Sequence, residues 1–273
     1  MRVLGAVALL ASGTLVLSAG LATRSWPFPG HAPAAAPVTS TGLPPARAVR
    51  LGSPPPVRPS AGDAFAPAAP VLLKVPVQGQ LPELRNGCEV TSLSMLLSFV
   101  GEGVGKMQLA REQETDPAQP VFAPGRRGDL SRILAWGDPA AGFVGNVYGP
   151  YGYGIHHAPL ARLLARKVPG RAVDLTGRGF ADVLARVRSG MPVLVWTTTT
   201  MRPTSRWVTW RGPRGPVRAT FSEHAVLLVG YTRTALVVND PLTGRQESVA
   251  PAPFVAAWRQ LGRQALTVAP TGG

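Results

Sequence analysis

Residues 23–70 carry 12 prolines set among many alanines, as in Ala32-Pro-Ala-Ala-Ala-Pro37 and Pro54-Pro-Pro56. Proline fixes φ and removes a backbone donor, so such a stretch cannot sustain a helix or a strand ladder. It also has too little bulky apolar surface to offset the entropy of ordering the chain. The composition predicts a disordered linker rich in polyproline II. Any folded core is thereby confined to the residues that follow, roughly 71–269, a length that can enclose one sizeable core.

Upstream of the linker, Val3 to Ala22 contains no charged residue and lies between Arg2 and Arg24. That length suits a signal peptide or a single membrane anchor over residues 1–22. With the linker behind it, the expected arrangement is an extracytoplasmic domain, secreted or tied to the membrane through its N-terminal segment.

The net charge is +14, from 28 Lys and Arg against 14 Asp and Glu. The charges are scattered, with no block of like charge and no aromatic–glycine RNA-binding pattern, so no nucleic-acid partner is expected. The histidines lack metal-ligand spacing, and neither a metal nor a cofactor is expected.

Within the domain, hydrophobic periodicity predicts helices first. Glu89 to Val100 places Val90, Leu93, Leu96, Leu97 and Val100 on one face. Met107–Glu114, Asp129–Trp136, Ala158–Lys167 and Phe180–Ser189 read as further helices, and Gly137–Gly154 as a loop. After Pro192 the pattern changes to strands: Val193–Thr199, Trp207–Arg211, Val217–Phe221, Ala225–Tyr231, Ala235–Asp240 and Gln246–Val249. Helices followed by antiparallel strands make an α+β domain, with an N-terminal helical part packed on a C-terminal sheet.

The chain has one cysteine, Cys88, so it can form no internal disulfide. The turn Asn86-Gly87 sets Cys88 at the start of an apolar helix, where unpaired N–H groups and the helix dipole favour a thiolate. Cys88 is therefore the candidate nucleophile. Of four histidines, His31 lies in the linker, and His156 and His157 at a loop-to-helix junction suit capping, surface exposure or the edge of a cleft. His224 opens the apolar run Ala225–Val229 and is the candidate general base, held at a strand end.

A base also needs a group to fix its ring. If the turn around Thr232-Arg-Thr234 has an odd number of residues, Asp240 shares the face of His224; an even turn selects Asn239. Asp240 is favoured. The backbone N–H of Cys88 supplies one oxyanion donor, and the side-chain amide of Gln80 is the candidate for a second, with Gln78 as a weaker alternative.

The segment Val75-Pro-Val-Gln-Gly-Gln-Leu-Pro-Glu-Leu-Arg-Asn-Gly-Cys-Glu-Val-Thr-Ser-Leu93 resembles the nucleophile region of bacterial papain-like cysteine peptidases. These are related to the double-glycine leader peptidases of bacteriocin exporters, and the likeness is to their stand-alone, secreted branch. His224-Ala-Val-Leu-Leu-Val-Gly-Tyr231 and Val238-Asn-Asp-Pro241 resemble that family's His and Asp segments, in the same order. Gly142-Phe-Val-Gly145 and Tyr151-Gly-Tyr-Gly154 strengthen the match. The resemblance implies a papain-like fold, a Cys–His–Asp triad falling on Cys88, His224 and Asp240, and a Gln in the oxyanion hole at Gln80. It implies peptide or protein substrates, cell-wall peptides among them. Amidase or transglutaminase-like acyl transfer on wall peptides, and a non-catalytic wall- or membrane-binding module, are the competing readings.

Overall fold

The computed structural model describes Phe65 and residues 69–270. The proposed anchor at 1–22 and nearly all of the linker at 23–70 lie outside these described residues. Among the described residues no helix is long and apolar enough to cross a membrane.

The helices are α1 (Cys88–Phe99), α2 (Lys106–Glu112), α3 (His157–Lys167), α4 (Phe180–Arg188) and α5 (Pro251–Gln260). The main sheet contains β1 (Val71–Leu72), β7 (Ala172–Asp174), β8 (Val193–Thr198), β11 (Glu223–Tyr231), β12 (Leu236–Asp240), β13 (Arg245–Val249) and β14 (Ala265–Val268). A three-stranded sheet holds β2 (Thr115–Asp116), β5 (Phe143–Gly145) and β6 (Gly152–Gly154). A four-stranded sheet holds β3 (Val121–Phe122), β4 (Ile133–Ala135), β9 (Val208–Gly212) and β10 (Gly215–Ala219).

The main sheet runs β13-β12-β11-β8-β14-β7, with every pairing antiparallel. β1 joins β11 at Gly230 and Tyr231, beyond the reach of β8. This is the α+β architecture the residue pattern predicts.

β11 is buried from His224 to Tyr231 without a break. Its apolar residues do not alternate with polar ones because both faces are covered. On one side Ala225, Leu227 and Val229 pack with Leu93, Leu97 and Leu164. On the other, Val226 and Leu228 meet Phe180, Phe254 and Trp258. α1 is buried along Cys88–Leu97, as expected of a helix apolar on nearly every side. The Ser92 hydroxyl donates to the Ala225 carbonyl at 3.2 Å, so α1 and β11 are locked in register beside the first residue of each that matters below.

Two regions differ from the sequence reading. Asp129–Trp136 is not a helix. Asp129 Oδ1 accepts the Ser131 N–H at 3.0 Å and supports only a 3₁₀ turn over Leu130–Arg132. Ile133 then turns extended, and Ala135 pairs with Val121 and Arg211. The pull comes from Trp136, which is buried against Trp210 at 5.7 Å between ring centroids. Likewise Gly137–Gly154 is not all loop, since β5 and β6 pair within it. Gly142 allows this, because a Cβ there would lie 2.8 Å from the Thr115 backbone.

Candidate active site

Gly87 precedes α1 and must be glycine: a Cβ would lie 2.5 Å from Leu84 Cβ. The turn before it is pinned through Asn86, whose Nδ2 donates to the carbonyls of Asn146 (2.8 Å) and Gly149 (2.7 Å). Cys88 is thus delivered to a fixed point at the first residue of α1.

His224 and Asp240 come together. His224 Nε2 and Asp240 Oδ1 are 2.7 Å apart, with both side chains buried. Burial pushes the Asp240 carboxyl up, but the hydrogen bond and charge of His224, with the N–H groups of Leu242 and Thr243, outweigh it and hold the pKa below the ordinary value. An ionised carboxylate can only accept, so Nε2 carries the hydrogen, and in the neutral ring Nδ1 is the nitrogen with the lone pair.

The route by which Asp240 reaches His224 differs from the simple hairpin argument. Tyr231 pairs with Leu236 across a four-residue turn, an even length that alone would present Asn239. A bulge between Leu228 and Gly230 inserts one extra residue, and beyond it Leu227 pairs with Asn239. The extra residue restores the parity that places Asp240 on the face of His224. Asn239 is otherwise engaged: its Nδ2 donates to the Val75 carbonyl at 3.1 Å and its Oδ1 accepts from Gln246 at 3.0 Å.

Gln80 is held against the same strand end, its N–H donating to the Pro241 carbonyl at 2.7 Å. Its Nε2 donates to the Arg85 carbonyl at 3.0 Å, using one of two amide hydrogens. Gln78 points elsewhere, toward Ser94 and Ser98. Cys88, His224 and Gln80 all line one cleft of about 150 Å³, with Tyr153, Phe221, Glu223 and Leu242.

The thiol does not match the expectation from the helix start. Burial drives the Cys88 pKa well up, and the charges of Glu89 and Glu223 and the hydrogen bond to Glu89 push the same way. Sγ–H donates to Glu89 Oε2 at 3.2 Å. Burial and neighbouring negative charge thus outweigh the helix dipole. The sequence reading treated Glu89 as an ordinary helix residue and passed over Glu223. A charged residue directly after the only cysteine, in a helix with no other charge, is the available signal.

Among the described residues, Cys88 Sγ and carboxylate oxygens of Glu89 and Glu223 cluster within 4.8 Å of one another. Two of these atoms are already joined to each other by the Cys88–Glu89 hydrogen bond.

His157 pairs through Nδ1 with Asp174 Oδ2 at 2.6 Å. His156 makes no side-chain cap to α3, and burial pushes its pKa down to about 4. Both line a neighbouring cavity of about 320 Å³, which shares Tyr153 and Glu223 with the cleft.

Comparison with known proteins gives a consistent picture. The model of the Peptidase_C39 like family matches residues 72–266. The uncharacterized protein YvpB of Bacillus subtilis (strain 168) is 35% identical over 191 residues, covering 70% of this chain and 72% of that protein. A crystal structure of a protein described as a C39-like peptidase from Bacillus anthracis superposes with a TM-score of 0.66 at 37% identity, covering 75% of this chain and 99% of the other.

Proposed function

The chain belongs to the Peptidase_C39 like family and has its papain-like fold; on that footing we propose that it is an extracytoplasmic cysteine peptidase. The observation that carries the reading is that His224, held by Asp240, lines the same cleft as Cys88 and Gln80. With Nε2 donating to Asp240, Nδ1 is the nitrogen left to take a proton from Cys88.

The proposed reaction has two halves. Cys88 Sγ attacks the peptide carbonyl carbon while its proton passes to His224 Nδ1. The Cys88 N–H and the second hydrogen of Gln80 Nε2 stabilise the oxyanion. Collapse breaks the C–N bond, His224 returns the proton to the departing amine, and a thioester remains on Cys88. Water, deprotonated by His224, then attacks the thioester and releases the acid, and Sγ recovers its proton. Burial and the neighbouring Glu89 oppose a free thiolate, so in this reading proton transfer accompanies attack.

Substrates are peptides or proteins, cell-wall peptides included. The segment 1–22 acts as signal or anchor, and residues 23–70 as a spacer before the catalytic domain at 71–269. Incubation with a peptide library and with isolated wall peptides tests the activity. New N-termini should arise with the wild type and vanish with Cys88→Ala, and a peptide aldehyde should add to Cys88 alone. Absence of both turnover and adduct rules the peptidase out. Protease treatment of intact cells with a permeable outer layer tests location; full protection of the domain rules out the outward placement.

A further inference from the structure

We propose that Glu89 and Glu223 hold a single proton between them and act through Cys88 as positioning residues. The charge left on Glu89 anchors the Sγ–H and keeps the thiol protonated. This rests on Cys88 being the nucleophile and adds a restraint on when it becomes reactive.

The geometry divides the pair. Glu89, almost fully buried at 1% exposure, accepts the Ile155 N–H at 2.9 Å through Oε1 and the Cys88 thiol at 3.2 Å through Oε2. Two donors directed at one carboxyl favour its ionised form. Glu223 Oε1 is buried with no hydrogen-bond partner, an arrangement that favours the neutral form. The two carboxyls lie within 4.8 Å, too close for both to ionise in a buried site. Gly154 makes the approach possible, since a Cβ there would lie 2.4 Å from Glu89 Oε1 and 3.0 Å from Glu223 Oε2. Both carboxyls titrate above their ordinary values, Glu223 the further of the two. Burial pushes both carboxyls up, but for Glu89 the hydrogen bonds of Ile155 and Cys88 oppose it, whereas for Glu223 the Glu89 charge adds to it.

Other titratable or charged groups face this cluster from several elements, and across the neighbouring cavity Glu223 faces His156, His157 and Arg218. From β6 comes Tyr153, whose hydroxyl burial holds protonated. His224 stands beside Glu223 on β11, engaged to Asp240 of β12. Exposed Arg85 lies at the cleft rim. The charged group that the thiol hydrogen-bonds is therefore Glu89. A protonated thiol resists alkylation and oxidation, because the thiolate is the reactive form.

Iodoacetamide labelling of the full chain tests this without requiring turnover. Cys88 is the only cysteine, so no other thiol reports. At about pH 6, Glu89→Gln should raise the labelling rate roughly tenfold, the equivalent of about one pKa unit. Glu89→Asp keeps the charge and should stay near wild type. Glu223→Gln mimics the protonated partner and should also stay near wild type. Equal rates for Glu89→Gln and wild type, or acceleration by Glu223→Gln as large as by Glu89→Gln, would overturn the proposal. If Glu89→Gln does not fold by thermal melting, the infrared S–H band of the wild type decides. It should persist at about pH 7, and its absence there would overturn the proposal. Intact labelling differences with no peptide cleavage in any variant would sink the peptidase reading alone.

Discussion

Asp240 and Asn239 are adjacent in sequence and opposite in duty. Asp240→Asn keeps the shape of the side chain but lets it donate to Nε2, favouring the wrong tautomer of His224. Turnover should drop about a hundredfold to ten-thousandfold, with residual activity from the oxyanion donors. Asn239→Ala should leave kcat within about threefold and instead lower stability by ~1–3 kcal/mol, because the Val75 carbonyl loses a buried partner. Matched kinetics and denaturant melts of the two variants separate these outcomes. At this scale Cys88 and His224 were legible in the sequence, since a lone cysteine after Asn-Gly and a histidine opening an apolar run are local signals. The position of Asp240 could be reasoned from parity, but the bulge that secures it could not. A bulge is fixed by pairing with a distant strand, and β1 takes over β11 at that point. Glu223 escaped notice for a similar reason: its neighbour Glu89 is 134 residues away along the chain.

Among the elements, α1 carries the site and bears the stability. Leu93 is fully buried between the sheet and the neighbouring helices. Leu93→Ala should cost about 2–5 kcal/mol, read as a lowered denaturant midpoint with an unchanged slope. Long periodic helices and the β11–β12 hairpin could be read from the sequence because their signals are local and strong. Asp129–Trp136 could not, since Ile133, Leu134 and Trp136 fit a helical spacing as well as a strand. Contact with Trp210, more than 70 residues on, decides between them. Pro251–Gln260 and Ala265–Val268 went unassigned. Pro251 and Pro253 look like breakers, yet proline is tolerated in the first turn of a helix, where its missing N–H costs nothing. The strand β14 then inserts between β8 and β7, a central place that no local pattern announces.

Over the whole molecule, two groups of carboxyls pull the pH dependence of stability in opposite directions. Asp240 titrates below its ordinary value when folded, so its contribution is present above about pH 4 and fades as pH falls further. Glu223 titrates well above its ordinary value, so what it contributes at low pH is lost as pH rises past about 4.5. Glu223→Gln should therefore melt with the wild type near pH 4 and at a higher temperature near pH 8, a gap visible in calorimetry. An equal offset at both pH values would show that Glu223 is not held neutral. Beside the cleft Trp136, Tyr153, Trp210 and Phe221 pack ring against ring, and Tyr153 and Phe221 are also its walls. Those two indoles therefore sit one ring away from whatever occupies the cleft. A change in tryptophan emission should therefore report peptide arrival in Cys88→Ala, where no bond is broken and no dye is attached.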